Sequence, residues 1–524
     1  MKPTTALALL GLISVAAPGL IAPPALANAP KAQASAPASA APPLAHTTSG
    51  AVAGTTSGTV TAFLGIPYAA PPVGANRWRA PQPVAPWAGT RPANAYGHDC
   101  AQAPFPPDAA PIATQPAEDC LYLNVWKPAA AQPGARLPVM VWIHGGGFVN
   151  GGSSPAVYSG AAFARDGVVL VSLNYRLGRF GFFAHPALAD EGFGGNFGFL
   201  DQIAALQWVQ ANIGAFGGDP ARVTVFGESA GGMSMHMLLQ SPLARGLFAG
   251  AIIESGGGRD STLPMPSLAK AAQVGAAFAP GLSAAQLRAL PAEEITGNLS
   301  MMTMNQPGYS GPMLDGRTIL GAPNDAAAAG LDADVPVMVG ANSADGFSLE
   351  TDKARIFAAF APPNSAEAAA AAQLYDPQGT APAAHVAMAV SADHMFIEPA
   401  RLIARTLAAQ GRHVWLYRFA YAAPRMEAAI GGAAHASELP YVFDTLAARR
   451  GDAPLPEEQA VARLTHAYWL AFAKTGQPAG PGLAPWPAAT PDDASVQIIS
   501  RQGAVHAPDP DTARLDFTAA HAAH

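Results

Sequence analysis

The sequence predicts an α/β fold in which a mostly parallel central sheet is flanked by helices, with further helices inserted between strands. Half of the 524 residues are apolar and only 12% are charged, so the chain can bury a large core. Short runs that are apolar on both faces alternate with segments of helical spacing, which is typical of parallel sheets covered by helices on both sides. Because these runs are distributed over most of the chain, we predict one large domain over residues 46–524.

Several apolar runs have the length and the flanking residues of buried strands. They are, in chain order, residues 137–147, 167–176, 223–226, 250–256, 335–342 and 413–421. Residues 198–213 place apolar side chains at helical spacing, and residues 229–239 predict a second helix. Alanine-rich stretches such as 267–290 and 366–374 predict helical insertions above or beside the sheet.

The first 27 residues have the composition of an export signal. Lys2 provides a positive start, residues 6–20 form a short apolar run, and Ala25-Leu26-Ala27 is a small-residue cleavage pattern. The alternative is a membrane anchor, which the prolines in and after this already short run disfavour. We therefore expect a signal peptide over residues 1–27 and a secreted or periplasmic protein that has no membrane association after cleavage.

Residues 28–45 consist mostly of alanine, proline and serine, and Lys31 is their only charge. A segment of this composition has little apolar surface to bury, so it predicts a disordered linker. Cys100 and Cys120 are the two cysteines of the chain. An even number of cysteines in an exported protein favours a disulfide, and the alternative is two free buried thiols.

The charge pattern disfavours nucleic acid as a partner. The net charge is −7 and no long basic run occurs. No lysine follows a glycine, so the phosphate-binding loop that ends in Gly-Lys-Ser or Gly-Lys-Thr is absent from the sequence.

The pentapeptide "GESAG" at residues 227–231 lies where a predicted strand gives way to a predicted helix. A nucleophilic serine on such a sharp turn sits in strained backbone, and flanking glycines relieve clashes with the neighbouring strand and helix. The helix N-terminus behind the serine favours developing negative charge. The pattern predicts Ser229 as a nucleophile, and the alternative is a small serine in a tight turn.

A serine hydroxyl needs a base, and the base needs an orienting acid. In sheets of this type the chain order is nucleophile, acid, histidine. Asp345 lies in the turn after predicted strand 335–342, and His435 lies in the loop after predicted strand 413–421. The other histidines considered are on helices, at or before the last predicted strand, or in the C-terminal tail. We therefore predict Asp345 as the acid and His435 as the base.

The sequence "HGGGF" at residues 144–148 follows another predicted strand. Glycines allow backbone N–H groups to approach a substrate oxygen without a Cβ in the way. We predict that the N–H groups of Gly146, Gly147 and Ala230 bind the oxyanion of an acyl-transfer reaction, and the alternative for the glycines is a flexible turn. Such chemistry needs no metal and no organic cofactor.

Longer motifs occur in order along the rest of the chain. They include "FLGIPYAAPPVGANRWRAPQP" at 63–83, "EDCLYLNVW" at 118–126, "GPMLDG" at 311–316 and "DHMFIEP" at 393–399. Together with the region around Ser229, these motifs resemble the type B carboxylesterases, the cholinesterase-like branch of the α/β-hydrolase fold. The resemblance implies a Cys100–Cys120 disulfide, Ser229 as acyl-ester nucleophile, and His435 as base.

This sequence departs from the family that it resembles in two features. The family usually has glutamate at the position of Asp345, so Glu228 and Glu438 remain rival acids. We expect Glu228 to be a buried supporting group whose side chain points away from the base. The cholinesterases carry a tryptophan in the first disulfide loop that stacks on quaternary ammonium, and residues 101–119 contain none, which disfavours a choline ester.

The sequence thus predicts a secreted serine carboxylesterase that cleaves a small-molecule ester through an acyl-enzyme on Ser229. Two alternatives remain. Some relatives in the family are adhesion proteins that have lost the nucleophile and only bind partners. The same chemistry could also act on an amide, a lactone or a long-chain lipid.

Overall fold

The computed structural model describes residues 41–522 apart from 107–108, 193, 261, 263, 349 and 449–452. The strands of these residues are β1 (Leu44–Thr47), β2 (Gly50–Ala53), β3 (Thr55–Ser57), β4 (Val60–Pro67), β5 (Thr90–Pro92), β6 (Tyr122–Pro128), β7 (Leu137–Ile143), β8 (Val169–Leu173), β9 (Gly218–Glu228), β10 (Gly250–Glu254), β11 (Val337–Asn342), β12 (Val414–Phe419), β13 (Ser495–Ser500) and β14 (Gly503–Pro508).

The α-helices of the same residues are α1 (Ala161–Arg165), α2 (Gly178–Gly181), α3 (Phe197–Asn212), α4 (Ala230–Gln240), α5 (Leu268–Phe278), α6 (Ala284–Arg288), α7 (Ala292–Thr296), α8 (Pro323–Ala328), α9 (Lys353–Phe357), α10 (Ala366–Tyr375), α11 (Ala383–Ala392), α12 (Glu398–Ala409), α13 (Pro424–Ile430), α14 (Leu439–Val442), α15 (Pro456–Thr475) and α16 (Thr512–His521). A π-helical turn, Asp393–Ile397, joins α11 to α12.

One large sheet has the strand order β14-β13-β12-β11-β10-β9-β7-β8-β6-β4-β3, and β1, β2 and β5 form a small separate sheet. All neighbours from β8 to β13 are parallel. Among the residues that the structure describes, antiparallel strand pairs of the large sheet occur only towards its two ends. The prediction of a mostly parallel sheet is therefore confirmed. Because parallel strands end at the same edge, the loops after β7, β9, β10, β11 and β12 lie close together there.

The central strands bury both of their faces. Val139, Val141 and Ile143 of β7 pack into a core that includes residues of α3, α4 and α12. The alternate residues of the same strand, Met140 and Trp142, pack into a second core that includes α15 and α1. This alternation explains why the strand is apolar at every position, since successive side chains of a strand point to opposite faces.

The predicted strands and the two predicted helices occur where expected, with shifted ends. The main difference is β9, which begins at Gly218 rather than at Val223. The alanine-rich stretch 267–290 contains two helices, α5 and α6. Pro280 and Gly281 separate them, because proline cannot continue a helix, and a capping box of Ser283 and Gln286 begins α6.

The first strand begins at Leu44, two residues before the predicted start of the domain at residue 46. Contacts divide the chain into Met1–Ala41 and Pro42–His524, and the second part forms one compact unit. The predicted signal peptide, 1–27, and residues 28–40 of the predicted linker lie outside the described residues. Leu44 and Ala45 fall within the predicted linker, but they begin β1, because Ala45 pairs with Val52 of β2 and both are buried. In the described part of the chain, no helix has the length and hydropathy needed to cross a bilayer.

Candidate active site

Ser229 is the residue between the last residue of β9 and the first residue of α4. Its backbone has φ 58° and ψ −122°, a strained conformation for a residue with a side chain. The N–H group of Ser229 donates to the carbonyl oxygen of Glu254 at 3.0 Å, and its own carbonyl accepts from Met233 at 2.8 Å. The strand-to-helix turn is thus fixed at the carboxyl edge of the sheet, as expected for a nucleophile that must project its hydroxyl group.

The two glycines of the pentapeptide are required by close backbone contacts. A Cβ on Gly231 would lie 2.0 Å from the carbonyl oxygen of Ile143, the last residue of β7. A Cβ on Gly227 would lie 2.6 Å from the same oxygen. Any side chain at either position would push α4 or β9 away from β7, and so displace Ser229.

His435 and Asp345 are joined by a short hydrogen bond. The Nδ1 atom of His435, in the loop between α13 and α14, lies 2.6 Å from Oδ1 of Asp345. The other carboxylate oxygen of Asp345 accepts from Oγ of Ser255 at 2.6 Å and from the N–H group of Asn342 at 2.8 Å. Asp345 is fully buried, so these donors replace the water that its charge has lost.

The aspartate reaches the imidazole because its loop is tied to the histidine loop. The N–H group of Ala344 donates to the carbonyl of Ala433 at 2.8 Å, and the N–H group of Ala433 donates to Oγ of Ser343 at 3.0 Å. These contacts bring the two loops together. Aspartate is one methylene shorter than the glutamate that the family usually has here. Because the loops are close, the shorter side chain of Asp345 still contacts His435.

The second nitrogen of the imidazole faces another carboxylate. The Nε2 atom of His435 lies 3.1 Å from Oε1 of Glu228. We expected the Glu228 side chain to point away from the base, and this expectation was wrong. Successive side chains alternate sides along a strand, but β9 ends at Glu228, and the turn at Ser229 places both residues on the same cavity.

The environment of His435 favours its protonated form. Burial lowers the pKa of the imidazole, but the carboxylates of Glu228 and Asp345 outweigh this effect and raise the pKa to about 9. The ring of Phe396, from the π-helical turn, stacks on the imidazole with centroids 5.0 Å apart. Phe347 meets it edge to face at 4.7 Å. The two aromatic rings restrict the imidazole to a narrow range of orientations.

Two further buried glutamates lie close to this centre. Glu438 accepts a hydrogen bond from Nδ2 of Asn342, and burial together with the charge of Asp345 raises its pKa to about 7. Oε1 of Glu254 accepts from Nε1 of Trp469 at 2.7 Å. Burial, followed by the charges of Glu438 and Glu228, raises the pKa of Glu254 well above its usual value. The two rival acids have other neighbours than Nδ1 of His435. Glu438 contacts Asn342, and Glu228 faces Nε2 of His435.

The glycine loop after β7 lies directly against the serine. A Cβ on Gly145 would lie 3.0 Å from Cβ of Ser229, and a Cβ on Gly146 would lie 2.2 Å from the carbonyl oxygen of Asn150. Gly146 has φ 102° and Gly147 has φ 61°, which favour glycine. Ala230 is the first residue of α4. Backbone N–H groups on such a loop and at a helix N-terminus are the donors that an oxyanion requires.

A cavity of about 210 Å³ connects these groups. Its polar wall includes Ser229, His435, Glu228 and the glycine loop, and its apolar wall consists of Phe105, Ala109, Ala110, Tyr158, Met301, Phe347, Ala436 and Leu439. Phe105, Ala109 and Ala110 belong to the loop closed by the disulfide Cys100–Cys120. No cluster of three or more side chains suited to a metal ion occurs among the described residues.

Sequence reasoning missed Ser255, Asn342, Glu254 and the stacking residue Phe396. Glu254, Ser255 and Asn342 stand at the ends of predicted strands 250–256 and 335–342, so a search of all strand ends for polar residues would have found them. No such signal marks Phe396, because its contact with His435 joins segments far apart in the chain.

The model of the carboxylesterase family matches residues 41–517. The chain belongs to this family. The fumonisin B1 esterase of Sphingopyxis macrogoltabida is 37% identical to this carboxylesterase over 469 residues, which cover 84% of each chain. The para-nitrobenzyl esterase of Bacillus subtilis strain 168 is 38% identical over 466 residues, which cover 84% of this chain and 91% of the relative.

A solved structure of a PNB esterase superposes on this carboxylesterase with a TM-score of 0.77. The two chains are 34% identical, and the match covers 91% of this chain and 99% of the other. The carboxylesterase is therefore a carboxylic ester hydrolase with the α/β-hydrolase fold, and the family and fold predicted from the motifs are confirmed.

Proposed function

We propose that this carboxylesterase is an exported serine esterase that hydrolyses small to medium, apolar carboxylic esters through an acyl-enzyme on Ser229. The observation that carries the proposal is the hydrogen bond between Asp345 and His435, beside a cavity that the strained Ser229 also lines. A serine, an imidazole and a carboxylate in this arrangement are the elements of nucleophilic acyl transfer.

In the first half of the reaction, Oγ of Ser229 attacks the ester carbonyl carbon while Nε2 of His435 takes the hydroxyl proton. The carbonyl oxygen becomes an oxyanion, and the N–H groups of Gly146, Gly147 and Ala230 stabilise it. The tetrahedral intermediate then expels the alcohol, which receives the proton from His435. Ser229 is left as an acyl ester.

In the second half, water attacks the acyl carbon and gives a proton to His435. Collapse of the second tetrahedral intermediate releases the carboxylic acid and returns the proton to Ser229. Asp345 orients the imidazole and stabilises its charged form in both halves of the reaction. Ser255 and Asn342 position Asp345 through the hydrogen bonds to Oδ2.

The cavity and the relatives support the proposed substrate class. The apolar wall and the small volume favour an uncharged ester of modest size. The relatives are named for different esters, among them fumonisin B1 and a para-nitrobenzyl ester. Their names support ester hydrolysis as the shared reaction without indicating one natural substrate.

Export is supported by the N-terminal composition together with the disulfide, since such bonds persist in oxidising compartments. Expression of the full chain in a bacterium, followed by fractionation and mass spectrometry, tests it. We expect a mature protein that begins at Asn28, outside the cytoplasm. A full-length chain retained in the cytoplasm would contradict this part of the proposal.

Labelling with a fluorophosphonate probe, followed by peptide mapping, tests the nucleophile. We expect one adduct, on Ser229, and loss of both labelling and ester turnover in Ser229→Ala. Ester turnover that persists in Ser229→Ala would disprove the mechanism. A wild-type protein that neither reacts with the probe nor turns over esters would favour a binding protein instead. Matched ester and amide substrates distinguish esterase from amidase activity.

A further inference from the structure

The loop that follows β10 is tied to the π-helical turn by a buried ion pair. This loop consists of residues 255–260 and 262, and we call it the β10 loop. Nε of Arg259 lies 2.6 Å from Oε2 of Glu398, and Nη2 of Arg259 lies 2.8 Å from Oε1. The side chain of Arg259 is 13% exposed and that of Glu398 is 3% exposed. A buried ion pair is weak evidence for stability, but a pair with two parallel hydrogen bonds fixes how two segments meet.

The π-helical turn is held at both of its ends. The N–H group of Glu398 donates to the carbonyl of Asp393, which closes the turn over five residues instead of the four of an α-helix. Asp393 is fully buried, and its carboxylate accepts from Nε of Arg514 at 3.1 Å and from the hydroxyl of Tyr375 at 2.7 Å. The two residues that close the turn are therefore the two whose carboxylates are tied to other segments.

Phe396 lies inside this turn and covers one face of the imidazole. Its side chain is buried, and its ring is inclined by only 16° to the ring of His435. The carbonyl of the preceding residue, Met395, accepts a hydrogen bond from Oγ1 of Thr262 in the β10 loop at 3.1 Å. If the turn relaxed to α-helical geometry, Phe396 would rotate about the helix axis and leave the imidazole.

The same loop also reaches the acid. Ser255, the first residue of the β10 loop, donates to Oδ2 of Asp345 at 2.6 Å. The β10 loop thus contacts the acid at its start and the π-helical turn at Arg259 and Thr262. One segment therefore supports both neighbours of the imidazole, which are the carboxylate at Nδ1 and the aromatic ring on its face.

We propose that Arg259 and Glu398 are positioning residues for catalysis, which hold the π-helical turn in the form that keeps Phe396 stacked on His435. This inference rests on the proposed function. The imidazole must pass a proton between Ser229 and the leaving alcohol, so a ring held in one orientation raises kcat. Arg259 and Glu398 act through Phe396 and not on the substrate.

A double-mutant cycle of Arg259→Gln and Phe396→Leu tests whether the ion pair acts through the aromatic ring. We measure kcat and KM with 4-nitrophenyl acetate, well below the Tm of each variant. Phe396→Leu should lower kcat by about tenfold to a hundredfold, which is the scale of a small misplacement of a catalytic group. KM should change by less than about twofold, because the described part of the cavity wall does not include Phe396.

Arg259→Gln should lower kcat by about threefold to tenfold, again without a matching change in KM. The double variant should be no slower than Phe396→Leu alone, because the ion pair has nothing left to position once the ring is gone. Such non-additivity is the mark of two residues that act as one unit. A purely structural ion pair would lower Tm without showing this coupling in kcat.

Arg77→Gln is the matched control. Nε of Arg77 lies 2.8 Å from Oε2 of Glu118 and Nη2 lies 2.6 Å from Oε1, and the side chain of Arg77 is 8% exposed. The geometry and the burial of this pair resemble those of Arg259 and Glu398, but Arg77 belongs to neither the β10 loop nor the π-helical turn. Its substitution should lower Tm, and any small effect on kcat should multiply with that of Phe396→Leu.

Thr262→Val gives a second measurement that leaves the ion pair in place. It removes the hydrogen bond to Met395 and nearly keeps the shape of the side chain, so it provides a folded protein even where Arg259→Gln does not fold. It should lower kcat by about twofold to tenfold, the scale of one hydrogen bond, and should have no further effect in Phe396→Leu.

The inference is overturned if Arg259→Gln, or Thr262→Val where Arg259→Gln does not fold, leaves kcat unchanged. It is also overturned if the effect of that variant multiplies with the effect of Phe396→Leu, or if the change appears in KM alone. Failure of the proposed function is a separate result, because it would appear as ester turnover that persists in Ser229→Ala.

Discussion

Oε1 of Glu228 lies 3.1 Å from Nε2 of His435, while Oδ1 of Asp345 lies 2.6 Å from Nδ1 of the same ring. The imidazole thus has a carboxylate at each nitrogen. The two carboxylates have different consequences, because only Nε2 can exchange a proton with the substrate. Replacing each of them in turn gives two distinct expectations.

Asp345→Asn should lower kcat by about 10³–10⁴-fold, because an amide neither stabilises the imidazolium nor fixes the productive tautomer. Folding should be unchanged, since the substitution keeps the size of the side chain. Glu438→Gln is the matched control and should retain most activity, because Glu438 contacts Asn342. Steady-state kinetics and circular dichroism of both variants provide the test. An active Asp345→Asn together with an inactive Glu438→Gln would show that the acid has been assigned wrongly.

Glu228→Gln should shift the rising limb of the pH–rate profile to lower pH. The neutral imidazole is the active base, and its pKa is about 9 in part because of the negative charge of Glu228. In the wild type, kcat/KM should therefore rise with pH up to about pH 9. Removing that charge lowers the pKa, so more of the imidazole is neutral at pH 7.

The measurement is kcat/KM as a function of pH for an uncharged ester. Glu367→Gln, on α10 and exposed, is the control and should leave the profile in place. A profile of Glu228→Gln that moves to higher pH, or does not move, would contradict the role of Glu228 in holding the imidazole proton.

Glu254→Gln should stabilise the protein relative to wild type, increasingly so as pH rises. The pKa of the folded-state carboxyl group is well above its usual value, first because of burial. The Glu254 carboxyl group therefore contributes fully to the stability of the folded protein below the unfolded-state pKa, near pH 4.5. This contribution is lost as pH rises towards the folded-state pKa. Glutamine does not titrate and still accepts a hydrogen bond from Trp469. Tm measured at pH 5 and at pH 8 checks this, and a Tm advantage that shrinks between these values would show the sign to be wrong.

Gly231→Ala should destabilise the fold by about 3 kcal/mol or more and abolish turnover, because its Cβ would lie 2.0 Å from the carbonyl oxygen of Ile143. Gly214→Ala is the matched control, since a Cβ there meets nothing within 4 Å, and its free energy of unfolding should change by less than about 1 kcal/mol. Urea unfolding of both variants measures the difference. Equal stability of the two variants would mean that the contact between α4 and β7 is not as close as described.

The order of the reactive residues could be predicted because it follows from how a parallel sheet is built. A strand that gives way to a helix at "GESAG" marks Ser229, and the ends of later strands mark the loops of Asp345 and His435. The direction of the Glu228 side chain could not be predicted in this way. Alternation of side chains holds within a strand, whereas the backbone at Ser229 leaves the strand geometry with φ 58°.

The positions of Ser255 and Asn342 at strand ends could be found from the sequence, but their partners could not. Ser255 reaches Asp345 across 90 positions, and Asn342 joins the acid loop to the histidine loop across 92 positions at Ala434. Such contacts depend on which strands are neighbours and on how their terminal loops turn. Neither property is encoded within a single segment.

By itself, the sequence determined the class of the fold, the family and the residues available for acyl transfer. These follow from hydrophobic periodicity, from glycines at close contacts and from motifs whose order the chain preserves. The tertiary structure alone decided which acids meet each nitrogen of His435, which aromatic rings hold it, and which side chains form the cavity walls. The physical reason is that hydrogen bonds, charge and packing act over a few ångströms in space, while the groups that they join lie up to several hundred residues apart along the chain.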